Sequence, residues 1–209
     1  FQGGCVIKYA NTNSARINID DAPLTWLGTA YRPVVLTARD DHSVGTQIGS
    51  AALSGYYARY GLFFYHQNTA TQVVDHVRVS HAITGICFDE LTHDLRHSQF
   101  FHCGDALDVR HSNTTLQNVL FHQVTNVLYG DWSGEWFYKT TAAHLTVNQA
   151  TNFAVNSAGG EYPAYVTNSL IVNLGSWNCE IQSNYVIRTT ATNVFETVGA
   201  GAHYLVPGS

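Results

Sequence analysis

The sequence predicts an all-β chain wound as a parallel β-helix, a solenoid with coils of about 21 to 26 residues. Three observations predict it. Aligned segments repeat along the middle of the chain, and several columns of that alignment are apolar throughout. The composition favours strand and turn, with 20 Val, 26 aromatic residues, 15 Asn and 17 Gly among 209 residues. With 45% apolar and only 12% charged residues, the chain has ample material for a core and no signature of disorder.

Each repeat is anchored on a His or Asn. Val74-Asp75-His76, Leu95-Arg96-His97, Leu116-Gln117-Asn118, Ala142-Ala143-His144 and Val166-Thr167-Asn168 align without gaps, their anchors 21, 21, 26 and 24 residues apart. Counting from the anchor, position −2 (Val74, Leu95, Leu116, Ala142, Val166) and position +3 (Val79, Phe100, Phe121, Val147, Ile171) are wholly apolar. Position +6 is apolar and mostly smaller (Ala82, Cys103, Val124, Ala150, Leu174), and +5 is always polar (His81, His102, Gln123, Gln149, Asn173). Inward positions on a strand recur with period 2. That parity breaks before +3 and again before +6, so each break predicts a corner. Short strands joined by corners, each coil burying its apolar residues against its neighbours, are what a β-helix requires. The fixed leucines of a leucine-rich repeat and the long 3.6-period segments of helical repeats are missing.

The rest of the chain fits one solenoid domain over 1–209. Residues 1–70 read as irregular early coils, with strands at 4–9, 15–19, 33–38 and 60–66 and a long loop at 40–54 rich in Gly and Ser. Residues 71–178 are the regular coils, with inserted loops at 131–140 and 158–164, and 179–209 is expected to be the terminal coil.

Two Lys and eight Arg against fifteen acids, a formal charge of −5, leave no basic stripe, which argues against nucleic acid and anionic membrane as partners. No apolar run approaches the roughly 20 residues a bilayer span needs, and residues 1–4 lack the charged start of a signal peptide. The absence of Met predicts a processed product or a segment of a longer chain. Four dispersed cysteines (Cys5, Cys87, Cys103, Cys179) form no CxxC pair and leave disulfides open.

The coil pattern resembles right-handed parallel β-helix proteins of the pectate-lyase-like superfamily, over about half the chain. Gly3-Gly4-Cys5-Val6-Ile7-Lys8-Tyr9, the segment from Arg32-Pro33-Val34 to Arg39-Asp40-Asp41, and Val198-Gly199-Ala200-Gly201-Ala202-His203-Tyr204-Leu205 are similar to segments of its large secreted bacterial members. The resemblance implies the fold and an extracellular or cell-surface location. It leaves the activity open, because the architecture hosts lyases, hydrolases, adhesins and phage spikes. Lyases of this superfamily place calcium carboxylates and a basic catalyst on the outward strand face. The corresponding positions +2 and +4 hold Arg78, Ser80, Gln99, Phe101, Leu120, His122, Thr146, Asn148, Leu170 and Val172, with no carboxylate. Nor is there the paired-Asp motif of the related polygalacturonases.

The anchor column His76, His97, Asn118, His144, Asn168 reads as a structural ladder, its polar side chains satisfying turn backbone groups at inward corners. His76 and His97 on adjacent coils are a minor metal alternative. Asp75 with Arg96, and Asp89, Arg110 and Asp131, are expected to pair between coils. The loop Asp89-Glu90-Leu91-Thr92-His93-Asp94 carries three carboxylates and a His, making Asp89, Glu90 and Asp94 the catalytic candidates if there is an enzyme; a solvated loop is the competing reading. Asp40 and Asp41, opening a loop after a strand, are weak Ca²⁺ candidates against a role in turn capping. No cofactor is otherwise implied: Gly199-Ala200-Gly201 lacks the strand and helix of a dinucleotide site, and Asn113-Thr114-Thr115 is a lone glycosylation sequon.

These readings predict a noncatalytic extracellular structural or adhesive module, with a carbohydrate-active enzyme (polysaccharide lyase or glycoside hydrolase) or a glycan-binding module as the alternative. They also predict end-to-end association or continuation into further coils of a parent chain, because Cys5-Val6-Ile7-Lys8-Tyr9 and Ala202-His203-Tyr204-Leu205-Val206 are apolar and nearly uncharged strand edges.

Overall fold

A computed structural model describes residues 1–209 apart from 12–13, 23, 66–70, 131–137, 158–162, 179–180, 199–200 and 207–209. At 181–183, 197–198, 201–202 and 204 it describes the backbone alone. Among the described residues every regular element is a strand. Strands of successive coils pair in parallel to form an all-β solenoid with three faces.

The first face stacks β5 (Gln72–Asp75), β8 (Thr92–Arg96), β11 (Asn113–Gln117), β13 (Thr140–Ala143) and the opening residues of β15 (Ala164–Ser176) and β16 (Ile181–Thr189). The second face stacks β1 (Val6–Tyr9), β3 (Val34–Ala38), β6 (Val77–Ser80), β9 (Gln99–Phe101), the starts of β12 (Leu120–Gly130) and β14 (Thr146–Asn156), and the middle of β15. The third carries β2 (Ile17–Asp20), β4 (Ala58–Tyr65), β7 (Ala82–Asp89), β10 (Asp105–Arg110) and the remainders of β12, β14 and β15. A separate antiparallel hairpin, β17 (Phe195–Val198) with β18 (Gly201–Leu205), follows the last coil. The terminal segment therefore divides into a coil strand and a hairpin, where the sequence suggested one coil.

The apolar columns are the core. Leu36, Val79, Phe100, Phe121, Val147 and Ile171 are register partners in succession along the second face, and all are buried. Val74, Leu95, Leu116, Ala142 and Val166 do the same on the first face. The early coils are longer: Ile7 pairs with Leu36, and Leu36 with Val79, and segment 40–54 leaves the solenoid before the chain returns to it at β4.

The corners explain the anchor column. His76, His97, Asn118, His144 and Asn168 all have left-handed backbone, with φ between 46° and 57°. So do His81, His102, Gln123, Gln149 and Asn173 at +5. Among residues with a side chain, Asn, Asp and His tolerate this conformation best. One such residue turns the chain and resets the alternation of the strand, which is why parity breaks there. The side chains do not fill inward corners. His97, Asn118, His144 and Asn168 are exposed and His76 is half-buried. The corner amides are satisfied by the next coil: His76 N donates to Arg96 O, His97 N to Gln117 O, Asn118 N to Ala143 O and His144 N to Thr167 O, at 3.0–3.2 Å.

A second polar column lies at +8. Asn126 Nδ2 donates to Asp105 Oδ1 (2.7 Å) and Asn152 Nδ2 to Asn126 Oδ1 (2.8 Å), and on the last coil Asn178, two residues beyond the column at +10, extends the thread with its Nδ2 to Asn152 Oδ1 (2.9 Å). The thread crosses four coils, and Asn126 is both donor and acceptor in it. Asn126→Ala is expected to cost about 1–2 kcal/mol by leaving half-buried partners unpaired, against little change for the exposed neighbour Thr125→Ala, measured by urea unfolding.

Candidate functional site

The outward side of the second face is walled on both sides by segments outside the repeat. Residues 29–33 cover one side. Their cleft of about 230 Å³ is floored by Arg78, Gln99 and Leu120 and edged by the corner residues His76, His97 and Asn118. On the other side the loop after β3 forms a cleft of about 330 Å³, in which Asp41, Ser43, Val44 and Leu53 face Arg78, Ser80, His81, Phe101 and His102. Lys8 ties that loop down, its Nζ donating to Asp41 O (2.6 Å) and Thr46 O (2.9 Å). Beyond Phe101 the C-terminal hairpin leans in, with the His203 ring 4.5 Å from the His122 ring and 6.3 Å from Phe101.

Arg78 lines both clefts. Its Nε donates to Gln99 Oε1 at 2.9 Å and its guanidinium lies 5.7 Å from the Phe101 ring centre. Among the described residues it makes no ion pair. Burial pulls its pKa below the ordinary arginine value, and the field of Asp41 only partly opposes this. It remains a charged, partly dehydrated cation whose remaining donors face the clefts.

Histidines flank it. His81 and His102 stack at 5.1 Å, and burial, with His102 beside it, lowers the His81 pKa. Burial and the neighbouring His203 push His122 down to about 4. At neutral pH His81 and His122 are therefore uncharged; each spends its one N–H on a carbonyl, His81 Nδ1 on Gly55 O (3.4 Å) and His122 Nδ1 on Asn148 O (3.3 Å), and so offers a ring face and an acceptor nitrogen.

The candidates read from the sequence sit elsewhere. Asp89 ends β7 on the third face, Glu90 and Leu91 turn the corner with φ of 65° and 58°, and Asp94 lies on the first face. Burial raises the Asp89 pKa, whereas Asp94 is held by Arg96 at 2.6 Å. His93 does not join them. It is fully buried, stacks on Phe88 at 4.4 Å, and its Nε2 donates to Glu90 O (2.9 Å).

The inter-coil ion pairs do not form either. Asp75 is the register partner of Arg96, and Asp89 of Arg110, yet each arginine pairs with the acid two residues back on its own strand: Arg96 with Asp94, and Arg110 with Asp108 (2.5 Å). Residues two apart share a strand face, and the short span suits an arginine fork. Asp131 lies outside the described residues.

Asp40 and Asp41 are both buried and act as loop staples. Asp40 accepts from Arg39 and from Tyr57 Oη (2.8 Å); Asp41 accepts from Thr37 Oγ1 (2.7 Å), Ser43 N (3.0 Å) and Ser43 Oγ (2.6 Å). The donors occupy the oxygens a Ca²⁺ ion would need; Arg39 and Tyr57 hold the Asp40 carboxyl below the usual range, and at Asp41 burial pushes upward but the bonds from Ser43 and Thr37 together outweigh it. Cys5, Cys87 and Cys103 are free thiols; Cys179 lies outside the described residues.

Sequence reasoning missed the grouping of Asp75 with the two anchor histidines. Asp75 Oδ1 lies 2.9 Å from His76 Nδ1 and 3.0 Å from His97 Nδ1. The signal was available: position −1 reads Asp75, Arg96, Gln117, Ala143, Thr167, so one coil alone sets a carboxylate beside the corner. It also passed over the column at +8 (Thr84, Asp105, Asn126, Asn152, Ser176), polar in every repeat. Comparison of the chain with family models, with curated proteins and with solved structures found no match.

Proposed function

We propose that the chain is a noncatalytic, extracellular adhesive module of the pectate-lyase-like superfamily that binds an acidic glycan along the second face. The observation that carries this reading is Arg78, a half-buried cation without an ion pair among the described residues, at the meeting point of two clefts. A carboxylate or sulfate on a sugar matches its free donors. Phe101 and the neutral histidine rings suit the apolar faces of the sugar, and coils about 4.8 Å apart suit a chain laid along the axis.

The test is binding of oligogalacturonate, alginate oligomers, a sulfated glycan and a neutral glucan by calorimetry, with wild type and Arg78→Gln. Acidic ligands are expected to bind and the neutral glucan not. A charge-assisted contact is worth about 1.5–3 kcal/mol, so the variant should lose about 10- to 100-fold in affinity. Equal affinity in Arg78→Gln, or no binding of any acidic glycan, would sink the reading.

A hydrolase is favoured by one observation, the raised pKa of Asp89, because burial moves its carboxyl in the direction that a general acid requires. Turnover of any of these glycans that disappears in Asp89→Ala or Glu90→Ala would replace the adhesive reading with this one.

A further inference from the structure

We infer that Asp75, His76 and His97 form a binding site for a divalent first-row transition ion of the Zn²⁺ class. The proposal stands apart from the glycan reading, although His76 and His97 also edge the cleft beside Arg78.

The three donor atoms lie within 4.8 Å of one another. His97 Nδ1 is hydrogen-bonded to Asp75 Oδ1, but His76 Nδ1, at 2.9 Å from the same oxygen, is off the hydrogen-bonding direction and buried without a hydrogen bond. Donors bound side by side on one ion, with bonds of about 2.1 Å, stand about 3.0 Å apart at right angles and about 3.4 Å apart in a tetrahedron. The two contacts to Asp75, 2.9 and 3.0 Å, match the first spacing and fall about 0.4 Å short of the second. The imidazoles stack at 4.8 Å with 23° between their planes, and a ring movement of about 1 Å brings both nitrogens within reach of one ion.

The surroundings favour a metal in three ways. Arg96, opposite Asp75 in register, is drawn off by Asp94, so no arginine competes for the Asp75 carboxylate among the described residues. The backbones of both histidines are pinned by left-handed corners and by bonds to the next coil, His76 N to Arg96 O and His97 N to Gln117 O. Gly28 packs against the His76 corner: a Cβ there would come within 3.0 Å of the His76 Cβ, so this chain shields one side of the site. Two imidazoles and a carboxylate suit Zn²⁺, Co²⁺ or Ni²⁺ over the oxygen-seeking Ca²⁺ and Mg²⁺. Three protein ligands leave a position open for water or an incoming group.

The test uses the full chain, Co²⁺ and Zn²⁺ alone, and variants the fold already accommodates. Asn118 and Asn168 occupy the same corner, so His76→Asn and His97→Asn keep the backbone, and His144→Asn is the matched control beside Ala143. Wild type and His144→Asn are expected to bind one equivalent of Co²⁺ with visible ligand-field bands that Zn²⁺ abolishes. His97→Asn and Asp75→Asn should each weaken binding at least tenfold. No saturable uptake by wild type, full affinity in both His97→Asn and Asp75→Asn, or displacement by equimolar Ca²⁺ would overturn the assignment.

Discussion

Phe100→Ala is expected to lower the unfolding free energy by about 3–5 kcal/mol. Phe100 is fully buried in the second-face column between Val79 and Phe121, its ring stacked on Phe121 at 5.3 Å. On its other side is Gly85, where an added Cβ would sit 2.8 Å from Phe100 Cδ1. The ring thus packs directly against backbone, and strands paired on both sides cannot slide in to refill the space it leaves. Because each coil is stabilised chiefly by its neighbours, the loss extends to the interfaces with β6 and β12. Urea unfolding followed by circular dichroism measures it, with the exposed Ile83→Ala on the third face as the control at under about 1 kcal/mol. A loss below about 1 kcal/mol for Phe100→Ala would falsify the packed column.

Acidification should destabilise the protein through His93. Burial lowers its pKa from 6.5 to about 4, against the opposing bond to Glu90 O and the field of Asp94. The folded state therefore refuses a proton that the unfolded chain accepts. The stabilisation is complete above pH 6.5 and is lost as pH falls through that value toward 4, by about 3 kcal/mol in all. His122 acts in the same direction over the same interval, but more weakly because solvent screens it. Asp89 and Asp105, raised by burial, act in the opposite direction. His93→Gln cannot take up the proton and can still donate to Glu90 O. Between pH 7 and 4 its loss of stability is expected to be about 3 kcal/mol smaller than that of wild type. Parallel pH profiles for the two proteins would show that His93 is not the group responsible.

The repeat was legible because apolar periodicity is itself the packing rule: positions −2 and +3 could be read as inward, and their register partners follow from the spacing. The two parity breaks located the corners. They did not reveal the cause, a left-handed residue whose side chain leaves the core, because alternation records which strand residues face in but not the φ of the residue between strands.

Spacing alone was a poor guide to charge. Residues 21 apart do stack, as Asp75 and Arg96 do, but an arginine is long enough to choose between the next coil and its own strand. That choice freed Asp75 for His76 and His97. His93 shows the same limit. In sequence it belongs to an acidic loop, and only the turn at Glu90 and Leu91 points it at Phe88.

The sequence by itself determined the solenoid, the columns of its core and two of the three corners of each coil, since these rest on local alternation repeated coil after coil; the third corner, at Glu90 and Leu91, it read as a loop. Tertiary structure alone decided the site. Residues 29–33, the loop that Lys8 holds and the hairpin carrying His203 have no repeat to align, and their places over Arg78 are set by contacts between segments distant in the chain.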